Sequence, residues 1–233
     1  MNLTDANRPL RVLEKVLQGG LGLGNLGVVM ARHGTGKVAV LTSIAIDHAM
    51  DGRKALHVSV GKPVSSVRAF HDEVLHEILN SLGATDRAAH TSKVERHKQI
   101  YSFPDPSVFS IQKLQNTLGF LDQHAGFRPE MIELSGWPDF DRADSQTIPQ
   151  LHTLAQDWNC ELWLSAHTHA EMPVDERGIP TVISRHLDEI EVLLALEAER
   201  EHVNLKFLKV HGESKPARVH LEFDPKTMLI RWR

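Results

Sequence analysis

Three residues in this chain have the spacing to hold an anion: Gly34, Gly36 and Lys37, within Ala31-Arg32-His33-Gly34-Thr35-Gly36-Lys37-Val38. Glycines at such positions let backbone N–H groups curl around phosphate oxygens. A lysine adds a point charge, and a helix that starts there favours negative charge. The usual pattern is G-x-x-x-x-G-K-[ST] between a strand and a helix. Two positions depart from it. Ala31 replaces the first glycine, and Val38 replaces the hydroxyl residue that would ligate Mg²⁺. His33 sits inside the loop, where its plain role is that of a solvent-facing side chain; when protonated it could also meet an anion. By itself the G-T-G-K segment is equally a turn ahead of a helix.

A second group is His167-Thr168-His169 with Glu171. Alternate strand residues share a face, so the H-x-H-x-E run has a metal-like look, but a polar sensor or an inert loop explains His167 better, and no metal site is assigned. Lys93, Arg96, His97 and Lys98 form a small basic cluster that reads as a solvated helix face. Trp137 reads as a packing residue, and Cys160, ahead of a strand, as structural. No Ser/His/Asp or Cys/His arrangement is visible in the linear order.

The elements that would position these residues follow from hydrophobic period and turn signals. Helices are expected over Pro9–Gln18 (Leu10, Leu13 and Leu17 on one side), Val38–Met50, Ser65–Leu82, Ser110–His124 and Ile148–Asp157. Strands are expected over Val28–Ala31, Ala55–Val60, Met131–Leu134 and Glu161–Ser165. Four further strands follow: Asp188–Leu196, Val203–Val210, Arg218–Phe223 and Met228–Trp232. The polar stretch Gly83–Ser107 shows no period and reads as a loop or variable insertion. Alternating strands and helices imply an α/β fold with a mainly parallel sheet flanked by helices, and the closing strands imply a C-terminal antiparallel extension.

Bulk properties narrow the classes. The chain has 233 residues, 41% apolar and 24% charged, enough for one large domain with a sizeable core. The net charge of −4 gives no global pull toward nucleic acid. One cysteine excludes an internal disulfide. The N-terminal MNLTDANRPL lacks a signal-peptide layout, and no apolar run is long enough to span a bilayer, so no membrane contact and a cytoplasmic location are expected. Fifteen histidines is a high count, but it carries no specific assignment.

The order of these segments resembles the RecA/KaiC/DnaB-like P-loop ATPases, in a degenerate form. The stretch LEKVLQGGLGLGNLGVVMARHGTGK, Leu13 to Lys37, is similar to their opening helix, G-G-L-x-x-G turn (Gly19-Gly20-Leu21, Gly24), strand and phosphate loop. Leu56 to Val60 resembles the strand ending beside the attacking water. Met131 to Gly136 resembles the Walker B strand, and Leu162 to His167 the strand ending at a γ-phosphate sensor. Phe207 to His211 resembles the strand carrying a K-x-R pair.

The resemblance implies a single RecA-like domain over residues 1–233, with residues 1–18 as a helical lead-in. It implies ATP or another nucleotide at His33, Gly34, Thr35, Gly36, Lys37 and Val38, and a contact from Lys209 and His211 to a neighbouring subunit's nucleotide. A homo-oligomer follows, with a protein partner in a regulatory or assembly role; nucleic acid is not favoured.

The hydrolytic side chains depart from the pattern. Gly61 and Lys62 stand where glutamates would orient water, and losing a positioned base costs about 10²–10⁴-fold in rate. Ser135 stands at the Walker B aspartate, so Mg²⁺ is not expected to be well held. Glu133 could replace it with a two-residue shift in register, although an edge or partly solvated carboxylate is the plainer expectation. Impaired hydrolysis is therefore expected. Two other readings stay open: an active ATPase with altered metal ligands acting on DNA, and a structural pseudo-ATPase that binds no nucleotide.

Overall fold

The computed structural model describes residues 8–213 and 220–232. The chain opens with helix α1 (Pro9–Val16), whose proline occupies the position where a missing N–H costs nothing. Leu13 and Leu17 are buried as the period requires; the side chain of Leu10 lies outside those described. Buried Arg8 ties this start to the far end of the next helix through Asp47 and Asp51.

Strands β1 (Leu26–Ala31), β2 (Ala55–Val60), β4 (Met131–Ser135) and β5 (Glu161–His167) then alternate with helices α2 (Lys37–Met50), α3 (Val64–Ser81), α5 (Ile111–Ala125) and α6 (Thr147–Trp158). Helix α4 (Arg87–His97) and strand β3 (Lys98–Phe103) lie between α3 and α5. A short helix α7 (Thr181–Ser184) precedes β6 (Ile190–Ala198), β7 (Val203–Val210), β8 (Leu221–Asp224) and β9 (Leu229–Trp232).

All nine strands join one sheet in the order β3-β2-β4-β5-β1-β6-β7-β8-β9. The pairs from β3 across to β6 are parallel, and β6 to β9 pair antiparallel. An α/β chain with a largely parallel sheet and an antiparallel C-terminal extension is thus the observed architecture. The expected strand over Arg218–Phe223 begins in residues outside those described; the strand observed there starts at Leu221.

Burial on both faces explains why β1 reads as a continuous apolar run, and why β2 and β4 are apolar apart from His57, Ser59, Glu133 and Ser135. Along β1, Leu26, Val28 and Met30 pack with Leu114 and Leu118 of α5 and Leu151 of α6. Val29 and Ala31 pack with Leu13 of α1 and Val40 and Leu41 of α2. Strand alternation therefore places α5, α6 and α7 on one face, and α1 and α2 on the other.

The segment 83–107 is not the loop that its polarity suggests. Asp86 accepts the Ala89 amide and starts α4, and β3 adds an edge to the sheet beside β2. Among the residues of α4 only Val94 is buried, and an edge strand needs few apolar residues. No apolar period survives to be read.

Cys160 is buried, as its position ahead of β5 suggests. Burial, then the neighbouring Glu161, push its thiol up to about 12. The reactive thiolate is therefore scarce. The folded chain is expected to resist iodoacetamide at pH 8 and to label fully once unfolded, as read by intact mass.

Among the described residues no helix is long and apolar enough to cross a membrane.

Candidate functional site

In parallel α/β sheets a ligand crevice opens where two adjacent strands send their connections to opposite faces. Two neighbouring pairs here do so. The chain leaves β1 for α2 on one face, while β5 continues toward α7 on the other. In the same way β2 leads to α3 and β4 to α6.

The first crevice contains the loop between β1 and α2. Gly34 and Gly36 have φ of 78° and 102°, in the left-handed region where glycine carries no Cβ penalty. Gly36 is the residue immediately before α2. Among the described residues the amides of Gly36, Lys37 and Val38 have no backbone acceptor in the chain. They are the free donors of a helix start, which suit an anion. The Lys37 Nζ donates to the Ala31 and Arg32 carbonyls, both at 2.9 Å. It thereby folds back over the loop, and partial burial lowers its pKa from the usual lysine value.

The end of β5 lies against this loop. The Thr168 amide donates to the Ala31 carbonyl at 2.9 Å. His33 is exposed, as expected, and meets His167 edge-on with ring centroids 5.9 Å apart. Some burial, then the charge of Lys37, hold His167 below the usual histidine range. A cleft of about 480 Å³ opens beside the loop; its lining includes Ala31, Thr35, Thr168, Met172, Val174 and Glu197. That volume falls within the range of small-molecule sites, roughly 300–1,000 Å³.

His169 does not join His167 and Glu171 in a ligand set. It lies 3.6 Å from Asp141 instead. Among the described residues, one group of His, Cys, Asp or Glu has metal-ligand spacing, and it is elsewhere.

That group lies under the second crevice. His57 of β2 and Glu133 of β4 are register partners. Their neighbours Leu56, Val58, Ile132 and Leu134 pack toward α5 and α6, so both polar side chains point to the α2 and α3 face. His71 reaches them from α3 and Thr42 from α2. His57 Nδ1 is 2.7 Å from His71 Nε2 and 3.3 Å from Glu133 Oε2. His57 Nε2 is 2.7 Å from the Ser135 hydroxyl, and the Thr42 hydroxyl donates to both Glu133 oxygens at 3.1 and 3.2 Å.

Glu133 and His71 are fully buried, and His57 is 2% exposed. Burial pushes Glu133 up to about 8, with partial relief from the Thr42 hydrogen bond and Lys98. It also pushes His57 down to about 3 and His71 down to about 2.

Glu133 is therefore not the edge or partly solvated carboxylate expected from sequence. Two helices close over it, and Ser135 is bound to His57. A linear reading misses this cluster because its partners are far apart in the chain, 91 residues for Thr42 and Glu133 and 78 for His57 and Ser135. The available signal was a histidine and a glutamate each inside an otherwise apolar strand.

The remaining candidates lie outside these crevices. Lys209 and His211 lie toward the start of β6, because Val210 pairs with Val192. That is the sheet end away from the 31–37 loop, so neither can meet the loop of its own chain. Lys209 Nζ donates to the Leu187 and Ile190 carbonyls at 2.5 and 2.7 Å. His211 Nε2 donates to the Leu17 and Gly20 carbonyls at 2.9 and 3.0 Å, which fixes the glycine-rich turn.

Arg96 is exposed on α4, whereas Lys93, His97 and Lys98 are half-buried, so the basic cluster is only partly a solvated face. Trp137 packs on Phe109 with centroids 4.8 Å apart. No protein-family model matches this chain, and no curated protein matches it significantly.

Proposed function

We propose that this chain is a RecA/KaiC-like nucleotide-binding domain with impaired hydrolysis, acting through assembly or regulation. The observation that carries the reading is the loop at the end of β1. It combines free amides at the start of α2, two left-handed glycines and Lys37 folded over the loop. The cleft beside it has room for a small molecule.

Impaired hydrolysis rests on the groups that phosphoryl transfer needs, namely metal ligands and a water-orienting carboxylate. Val38 offers no oxygen from its side chain. Ser135 is held by His57. Gly61 and Lys62 supply no carboxylate at the end of β2. Glu133 is sealed from solvent, which removes support from an ATPase that uses it for magnesium. Lys209 and His211 lie at the sheet end away from their own loop and are bound within their own chain; the homo-oligomer in this reading rests on the resemblance alone.

Calorimetric titration with ATP, with and without Mg²⁺, tests it. Binding of similar strength in both is the expected result. No binding in either condition would leave the structural pseudo-ATPase. Steady-state phosphate release near 1 s⁻¹ or faster, typical of working enzymes, would overturn the impairment.

A further inference from the structure

We propose that His57, His71 and Glu133 form a site for one divalent ion of the zinc class, which staples β2, α3 and β4 together. The site stands apart from the 31–37 loop and does not rest on the nucleotide reading.

The argument starts from lone pairs. His57 Nε2 faces the Ser135 hydroxyl at 2.7 Å. If that nitrogen carries the ring proton, Nδ1 is left as a lone pair directed at His71 Nε2 and Glu133 Oε2. These three atoms lie within 4.8 Å of one another, and all three residues are buried. The 2.7 Å contact between the two imidazoles accommodates one proton, not two. Three strong ligand atoms thus converge in a sealed space, and only protons of their own compensate them. Among the described residues His71 Nδ1 has no hydrogen-bond partner, so that ring makes its one polar contact inside the cluster.

The donor set selects the ion. Two imidazoles and one carboxylate suit zinc, which bonds nitrogen and oxygen at about 2.0–2.1 Å and leaves a fourth position for water. A tetrahedral ion at those lengths separates its ligand atoms by about 3.3 Å. His57 Nδ1 and Glu133 Oε2 are already 3.3 Å apart. The two histidine nitrogens must open from 2.7 Å, by about 0.6 Å on the same geometry, which a small side-chain adjustment of His71 on α3 supplies. Outer partners that orient ligands are also in place: Ser135 on the free nitrogen of His57 and Thr42 on Glu133.

Two lysines oppose the ion. Lys62 and Lys98 both act on His57, and Lys98 acts on His71 and Glu133 as well, so replacing Lys98 with an uncharged side chain of similar length should tighten binding.

Because the cluster is sealed, the metal must enter as the chain folds. Tag-free protein is refolded with equimolar Zn²⁺, passed through a desalting column and assayed by elemental mass spectrometry. Co²⁺ is used in parallel as a visible probe. About one ion per chain and the intense bands of four-coordinate cobalt are expected. His71→Gln should retain less than about a tenth of that metal, with an unchanged far-UV spectrum. Where that variant does not fold, Glu133→Gln makes the same comparison. Lys98→Met should hold zinc more tightly than the parent chain in competition with a chelator. Equal metal in parent and variant, no metal in the parent, or Lys98→Met no tighter than the parent each overturns the site.

Discussion

Lys37→Ala is expected to weaken ATP binding by about 10- to 300-fold while leaving the fold intact. The lower bound comes from one lost charge-assisted hydrogen bond at the weak end of its range, about 1.5 kcal/mol. The upper bound adds a second contribution that is visible in the unliganded chain. Lys37 Nζ bridges the Ala31 and Arg32 carbonyls, so it holds the loop in the conformation an anion would meet. Its removal loosens the cradle as well as discharging it. The side chain is half-exposed and lies outside the apolar clusters, so the melting temperature should barely move. Calorimetry with pyrophosphate, which carries phosphate charge without the nucleoside, places the loss at the phosphates: its affinity should fall by a similar factor. Lys37→Arg should not restore binding, because the planar guanidinium cannot occupy the position of a compact ammonium between two carbonyls. Unchanged ATP affinity in Lys37→Ala would separate the loop from nucleotide binding altogether.

The strand-loop-helix around Lys37 was legible because all its signals are local. Apolar run, glycines, lysine and helix start occupy consecutive positions, and the structure moves the expected helix start by one residue, from Val38 to Lys37. Strand β3 was not legible for the opposite reason. In Lys98–Phe103 only Phe103 is buried, and β3 pairs on one side only, with β2. A chain segment in that position carries no obligation to be apolar. The His57, His71 and Glu133 cluster fails differently. Each member sits in an element whose type was read correctly, but what surrounds it depends on strand register and on two helices. A glutamate is usually at least partly solvated; what buries Glu133 is the packing of α2 and α3 over β4, which no local pattern encodes.

Gly136→Ala should destabilise the chain by more than about 4 kcal/mol, or prevent recovery of soluble protein, and the reason is a single close approach at the second crevice. Gly136 follows the last residue of β4, with φ of 81°. That conformation alone costs an alanine about 1–2 kcal/mol. A Cβ placed there would fall 2.0 Å from the Val60 carbonyl oxygen and 3.1 Å from its carbon. Neither atom belongs to a flexible side chain. Both lie at the end of β2, which pairs with β3 on one side and β4 on the other, so relief requires the sheet to part where His57 and Ser135 meet. Losses above 4 kcal/mol arise from a few mechanisms, of which backbone overlap in a buried sheet is one. Gly34→Ala provides the control. Its φ of 78° imposes the same conformational strain, but nothing lies within 4 Å of the added carbon, so about 1–2 kcal/mol is expected. Urea unfolding of the two variants isolates the contact between β2 and β4 by difference. Equal stability in both would mean that the ends of these strands can separate freely, and the His57–Ser135 hydrogen bond would then lose its fixed geometry.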